Sequence, residues 1–432
     1  SRLRFSTAIV SYRKVGRAMV APANGPTGTV PSTAQVLDTA YWNNICPHLH
    51  ISPLGIRSAH PVASNEALVR DTKESESKKE MVTNGYFLHR SKPETQTTVS
   101  DLALGIEQLH EHGWPATFIF IFDSAWELAN ELSEKMEHAT GNKNNGDILA
   151  WYVDASKGHS GFSPHRDRIP DNPMATFRPD GTPLYASAWV ALSKAHEGNS
   201  CLHMIPKHMD PGYDFKENVQ IGDMDAELDA YDRDSRERAS EEIEALAWNY
   251  FTGVDTASEK AIETVRAIPC NAGDAVFFSH TILHWGSRGQ KDCKDPRISL
   301  AVACADSRLA EPAYFDRELH LPYPCLHLRV ALAAGQMISY YERFRPSSEQ
   351  MILFHEVFLL HQEKFDASYQ ARVNSKFRCW QEQQEKERRK QQKAKTSGSL
   401  FARVKAMKQE RQEQNQPKPH ISDGSGYASR PA

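Results

Sequence analysis

The stretch GDAVFFSHTILHWGS, residues 273–287, decides the fold. Gly273-Asp274 is a turn pair, and the apolar, aromatic-rich run after it predicts a buried strand that His284 closes. His280 and His284 share parity along such a strand, so alternation alone does not say which of them faces a site. Working outward, PRISLAVACAD (296–306) predicts a further strand across the loop QKDCKD, and PLYASAWVAL (183–192) and ILAWYVD (148–154) predict two more upstream. Strands of this kind, spaced by turns, predict a mainly β protein with helical additions, built on a sandwich or small barrel of the jelly-roll type.

Upstream of these strands, residues 20–100 are rich in Pro, Ser, Thr and Asn, and TKESESKKE (72–80) is a charge run, so loops and short elements are expected there. SDLALGIEQLHEHGW (100–114) has helical spacing, with Ser100 as its cap and Gly113 as its stop. ATFIFIF (116–122) reads as a buried strand, and SAWE (124–127) as a capping box opening an amphipathic helix. From Asp214 the chain turns acidic and then helical, an insertion over about 214–265. Beyond residue 335, MILFHEVFLLHQEKF (351–365) carries the apolar stripe of a packed helix, and QEQQEKERRKQQKAK (381–395), polar all round, reads as a solvated helix or a disordered tail. The expected organisation is an irregular basic extension over 1–99, a β domain over 100–335, packed C-terminal helices over 336–380 and a charged, disordered tail over 381–432.

The 432 residues are 40% hydrophobic and 25% charged, and no apolar run reaches the roughly 20 residues of a membrane-spanning helix. A net charge of −4 gives no basic footprint and argues against nucleic acid as a partner. The seven cysteines include no CxxC pair, which points to neither a disulfide framework nor a zinc knuckle and suits a reducing, intracellular compartment. Residues 1–37 contain Arg2, Arg4, Arg13, Lys14 and Arg17 and no acid. That composition resembles an organellar transit-peptide remnant, against a disordered basic arm, so both cytoplasmic and organellar locations stay open. Oligomeric state is not legible.

In GFSPHRDRIP (161–170), an extended backbone puts His165 and Asp167 on one face and Arg166 on the other. A histidine and a carboxylate two residues apart are candidate metal ligands, although such a triplet arises easily by chance and His208-Met-Asp210 is a second instance. A third ligand from the end of the 273–287 segment would complete a two-histidine, one-carboxylate set, which suits Fe(II) and leaves three coordination positions open. In PRIS, Arg297 and Ser299 share a face, where a guanidinium and a hydroxyl can grip a carboxylate.

HRD (165–167), SCLHMIPKH (200–208), GDAVFFSHTILHWGS (273–287) and PRISL (296–300), in that order, resemble the phytanoyl-CoA dioxygenase family of Fe(II)/2-oxoglutarate oxygenases over about residues 100–310. The resemblance implies a double-stranded β-helix core, cupin-like, with Fe(II) held by His165, Asp167 and His284. In that family the distal histidine follows the Asp of the Gly-Asp turn by ten residues, the position of His284. It further implies 2-oxoglutarate bound by the metal and Arg297, with Ser299 and Ser287 as additional candidates. Trp189 reads as core or as a substrate wall, and His208 as a turn residue near the pocket that can reach the substrate. The family's His-Gly-Ser is here His284-Trp285-Gly286-Ser287, and its Pro-Gly-Ser-His is Pro206-Lys207-His208.

The expected activity is therefore oxidation, by default hydroxylation, of an unactivated C–H bond of a small molecule with O2, giving succinate and CO2. Desaturation or oxidative cyclisation uses the same ligands. A non-catalytic metal-binding scaffold and a zinc or manganese isomerase or lyase are the alternatives, and neither needs Arg297. The acidic insertion reads as a solvated face, or as a lid favouring a cationic substrate.

Overall fold

Among the described residues, α-helices precede and follow a run of consecutive strands, and the strands form two small sheets that lie face to face across one cavity. In the computed structural model the described residues are 30–55, 67–91, 96–159, 161–162, 164–168, 173–210, 213, 265–286, 289–306, 314 and 323–414. Their elements are α1 (Thr33–Val36), α2 (Thr39–Ile45), α3 (Ala67–Asn84), β1 (Tyr86–His89), α4 (Gln96–Glu111), α5 (Asp123–Thr140), β2 (Lys143–Val153), β3 (Tyr185–Ala191), β4 (Leu202–Met204), β5 (Arg266–Ile268), β6 (Ala275–Ser279), β7 (His284–Gly286), β8 (Arg297–Ala305), α6 (Leu326–Ser339), α7 (Tyr341–Phe344), α8 (Ser348–His361) and α9 (Ala367–Gln414). The larger sheet has the order β1-β6-β3-β8-β2 and the smaller β5-β4-β7, with every pairing antiparallel. This is the jelly-roll core with helical additions.

Every residue of β3 and β6 is buried, because the sheet they share is covered on both faces. Helix α5 packs on one face, against β2, β3 and β8. The other face, with the small sheet opposite, lines the cavity through Tyr185, Ser187 and Trp189 of β3 and Leu202 and His284 of the small sheet. Period-two alternation sends Ala186, Ala188 and Val190 of β3 the opposite way, and all three are buried as well.

Several local expectations are corrected. ATFIFI is a 3-10 helix, Ala116–Ile121, buried throughout. A short continuous apolar run fits a buried helix as well as a buried strand. Its polar groups are met from outside: Trp126 Nε1 donates to the Phe120 carbonyl at 2.6 Å, Arg329 donates to the Ile121 carbonyl at 2.8 Å, and the Ala150 N–H donates to Thr117 Oγ1 at 3.1 Å. Ser124 is not a cap, since α5 begins at Asp123. The Asp123 carboxylate instead receives the Arg329 guanidinium at 2.5 Å and the Ser52 hydroxyl at 2.6 Å. Ser100 lies inside α4, while Gly113 does end it, with φ +78°.

The segment before residue 100 is less irregular than expected, since it contributes α3 and β1, and β1 pairs with β6. The strand expected over 275–284 is broken: β6 ends at Ser279 and the chain crosses to the other sheet at β7. Residues 381–414, read as a solvated helix or a disordered tail, continue the helix α9. Their Gln, Glu, Lys and Arg are strong helix formers, and pairs such as Glu385–Arg389 at 2.5 Å add i,i+4 support. Residues 1–29 of the segment read as a transit-peptide remnant (1–37), residues 214–264 of the acidic insertion read over about 214–265, and the last residues, 415–432, lie outside the described residues. The chain divides into two units, Ser1–Phe377 and Arg378–Ala432, and both sheets belong to the first. Among the described residues no helix is long and apolar enough to cross a membrane.

Candidate functional site

Two backbone hydrogen bonds bring the site together. His165 is joined to His284, the first residue of β7, in an isolated antiparallel bridge, each N–H donating to the other's carbonyl at 3.0 Å. The imidazole rings lie side by side with centroids 4.3 Å apart. Asp167, two residues on, faces both: its Oδ1 is 3.7 Å from His165 Nε2 and 3.6 Å from His284 Nε2. The donor atoms of His165, Asp167 and His284 all lie within 4.8 Å of one another, so a single divalent cation fits among them.

Neighbouring side chains fix these donors. His284 Nδ1 is 3.1 Å from the Ile282 carbonyl, which places its proton on Nδ1 and turns the Nε2 lone pair to the other two ligands. Asp167 Oδ2 accepts a short hydrogen bond from the Ser187 hydroxyl, leaving Oδ1 to face the histidines. Arg166 points the other way, as alternation requires, into a buried two-pronged ion pair with Asp210 at 2.6 and 3.0 Å, and it also donates to the Thr281 carbonyl. The aspartate of the second, chance-like triplet therefore anchors the arginine of the first.

His280 is disposed differently. Its Nδ1 is 2.8 Å from the Tyr185 carbonyl and its Nε2 is 2.9 Å from Thr176 Oγ1, so both nitrogens are engaged away from the donor cluster. Burial lowers its pKa to about 4 and keeps the ring neutral.

The donors line a cavity of about 180 Å3, whose walls also include Trp151, Phe162, Trp189, Leu202, Phe278 and Arg297. Arg297, the first residue of β8, is 3% exposed, donates to Ser299 Oγ at 3.0 Å and lies 5.7 Å over the Trp189 ring. Its Nε is buried without a hydrogen-bond partner. Burial lowers its pKa to about 10, so it remains a cation at neutral pH, and no ion pair compensates it among the described residues. A buried cation with an unused donor, facing the same cavity as the ligand cluster, is a seat for a carboxylate.

The structure thus gathers His165, Asp167, His284, Arg297 and Trp189 around one cavity, with Ser299 as the hydrogen-bond partner of Arg297. It leaves His208 on the exposed surface of a short 3-10 helix, Lys207–Met209, away from the cavity walls, and Ser287 lies outside the described residues. Ser187 was missed in the sequence, although it shares β3 parity with Trp189. Arg343 of α7 and Arg372 of α9, which also line the cavity, carry no local signal, because they come from helices read only as packing.

Residues 70–291 match the family model described as phytanoyl-CoA dioxygenase (PhyH). No curated protein matches the chain. Among solved structures, similarity is found to the epimerase SnoN in complex with Fe3+, alpha ketoglutarate and nogalamycin RO, at 15% identity over 55% of this chain and 85% of that one, with a TM-score of 0.35. HygX from Streptomyces hygroscopicus with nickel and 2-oxoglutarate bound is similar at 12% identity over 54% and 87%, also with a TM-score of 0.35. The non-heme alpha ketoglutarate dependent carbocyclase SnoK from nogalamycin biosynthesis is similar at 14% identity over 55% and 86%, with a TM-score of 0.34.

Proposed function

The chain belongs to the phytanoyl-CoA dioxygenase family of Fe(II)/2-oxoglutarate-dependent oxygenases, and from that premise we propose that it hydroxylates an unactivated C–H bond of a small molecule in the cavity between its two sheets. In this reading His165, Asp167 and His284 hold Fe(II), and Arg297 with Ser299 holds the distal carboxylate of 2-oxoglutarate. One observation carries it: a two-histidine, one-carboxylate donor set within 4.8 Å shares a cavity with a buried arginine whose Nε has no partner. The donor set suits Fe(II) with positions left for cosubstrate and O2, and the arginine supplies what a metal-only isomerase or lyase would not need.

Bound Fe(II), with 2-oxoglutarate and O2, supplies an oxidant that removes hydrogen from a C–H bond, with succinate and CO2 as co-products. The protein's part is positional. Ser187 and the Arg166–Asp210 pair hold the HRD segment against β7, so that the donors are already assembled before a metal arrives. Arg297, seated on Trp189 and tethered to Ser299, sets the direction from which the cosubstrate reaches the metal. Trp151, Phe162 and Phe278 wall the centre with apolar surface and limit water around it.

The test is anaerobic. Fe(II) and then 2-oxoglutarate are added to the purified protein, and the visible metal-to-ligand charge-transfer band is recorded for the wild type, His284→Ala and His280→Ala. The expected result is a band in the wild type and in His280→Ala and none in His284→Ala. Absence of the band in a wild-type protein that has bound metal would remove the oxygenase reading.

A further inference from the structure

Strand β3 runs along the cavity like a scale. Tyr185, Ser187 and Trp189 line it in turn, so the wall spans about 13 Å from the first to the last at a strand's rise per residue. Trp189 lies under Arg297 and Ser187 bonds Asp167, so the cosubstrate arginine and the ligand cluster occupy one end and the middle. Tyr185 marks the far end, where the Arg168 guanidinium sits 4.2 Å over its ring.

That end is completed by helices and is cationic. Arg343 bridges from the ligand cluster toward that end, 4.6 Å over the Phe162 ring, which meets His165 edge-on, and 5.6 Å over the Tyr340 ring. Arg372 lies 5.2 Å from the Tyr340 ring centre and donates to the Tyr314 hydroxyl at 3.1 Å. Neither Arg343 nor Arg372 forms a direct ion pair among the described residues, although Arg372 also hydrogen-bonds the Tyr340 side chain and feels the charge of Asp147. Asp147, the acid lining this end, is already engaged, accepting from the Tyr185 hydroxyl at 3.1 Å and the Gln336 amide at 2.7 Å. Asp167, the other lining carboxylate, belongs to the ligand cluster. A guanidinium has five N–H donors, so one that rests on an aromatic ring, and even one that bonds a hydroxyl, still has donors to offer an oxyanion.

Resting on the oxygenase reading above, we propose that the oxidised substrate carries an anionic group, a carboxylate or a phosphate, received by Arg343 and Arg372 at the end of the cavity opposite Arg297. The two anions of the reaction are then sorted by place. The cosubstrate's distal carboxylate goes to Arg297, the substrate's anion goes to the helical arginines, and the bond to be oxidised lies between them, beside the ligand cluster. This charge pattern runs against a cationic substrate, which the acidic insertion had suggested from the sequence.

The test uses the full chain loaded with Zn(II) in place of iron, with and without N-oxalylglycine as an unreactive stand-in for 2-oxoglutarate. Octanoate, octyl phosphate and octylamine, which share an alkyl chain suited to the apolar walls, are titrated by calorimetry. The expected result is binding of octanoate or octyl phosphate, with the tighter of the two naming the group, and no binding of octylamine. In Arg343→Gln/Arg372→Gln, anion binding weakens about tenfold or more while N-oxalylglycine binding is unchanged. Arg297→Ala gives the reverse pattern. Arg372→Lys, which keeps the charge, retains anion binding and controls for folding. Failure of both anionic probes to bind, octylamine binding as tightly as they do, or undiminished anion binding in the double variant would overturn the proposal. Failure of N-oxalylglycine to bind the wild type would instead count against the cosubstrate assignment, and the probe titrations without it still read the helical end.

Discussion

His165 and His284 are partners in main chain before they are partners in chemistry: each donates its N–H to the other's carbonyl at 3.0 Å, and the rings follow, 4.3 Å apart. A donor set built on a backbone bridge inherits the bridge's register, so its geometry depends on how closely the two segments approach. The two segments are pressed together at Gly161 and Gly286, next to a further bond from the Gly286 N–H to the Phe162 carbonyl at 3.0 Å. A Cβ at Gly286 would meet Gly161 Cα at 2.5 Å, and that obstacle is backbone, which cannot rotate away.

Gly286→Ala is therefore expected to force the segments apart, costing about 1–3 kcal/mol of stability in the manner of an overpacked core. It should weaken metal binding as well. Denaturant unfolding and Co(II) titration check this, and unchanged values for both would show that the close approach is not what sets the donor register.

The Arg166–Asp210 pair lies wholly inside the protein, with both side chains at 0% exposure. Asp210→Asn removes one charge and leaves the guanidinium buried without its counter-ion, which is expected to cost about 3–5 kcal/mol. Arg166→Met/Asp210→Leu removes both charges and should recover most of that loss. If the pair also orients the HRD segment, Asp210→Asn will weaken metal affinity by about tenfold or more. Stability and metal affinity measured across the double-mutant cycle separate the two effects.

Much of this arrangement was legible in the sequence. The strands containing Trp151, Trp189 and Arg297 announced themselves by turn residues and β-branched or aromatic runs, and the parity of His165 and Asp167 around Arg166 carried through into the fold. What was not legible is set by long-range contacts. ATFIFI has no periodicity that separates a buried strand from a buried 3-10 helix, and Pro115 before it and Arg329 far downstream decide the matter. The choice between His280 and His284 could not come from alternation, because the chain changes sheets between them. Arg343 and Arg372 reach the cavity only through the packing of helices that lie well over 100 residues beyond the HRD segment.

Arg297 offers a prediction about cosubstrate alone. Its guanidinium can present two parallel N–H bonds to a carboxylate, whereas a lysine presents a point charge. Arg297→Ala is expected to weaken 2-oxoglutarate binding by about 10- to 100-fold, the worth of a charge-assisted bond, while leaving Fe(II) binding intact. Arg297→Lys should fall between the two. Titrating the charge-transfer band with 2-oxoglutarate gives all three affinities. Equal values for the wild type and Arg297→Ala would move the carboxylate seat elsewhere.

His280 couples the fold to pH. Its ring is 1% exposed and neutral, with burial lowering its pKa to about 4, whereas in the unfolded chain a histidine titrates near its ordinary value of about 6.5. Above about pH 6.5 neither state binds the proton and His280 contributes nothing to pH dependence. Between about 6.5 and 4 the unfolded state binds it and the native state does not, so stability falls as the pH falls, by an amount approaching about 3 kcal/mol near pH 4. His280→Gln keeps a donor toward the Tyr185 carbonyl and an acceptor toward Thr176 but has no proton to gain. The difference in unfolding free energy between wild type and variant, in which the other titrating groups cancel, should therefore move in favour of the variant across that window and stay flat above it. A difference that is flat from pH 4 to 8 would mean that the native protein accommodates a protonated His280, and that the two hydrogen bonds to its ring open readily.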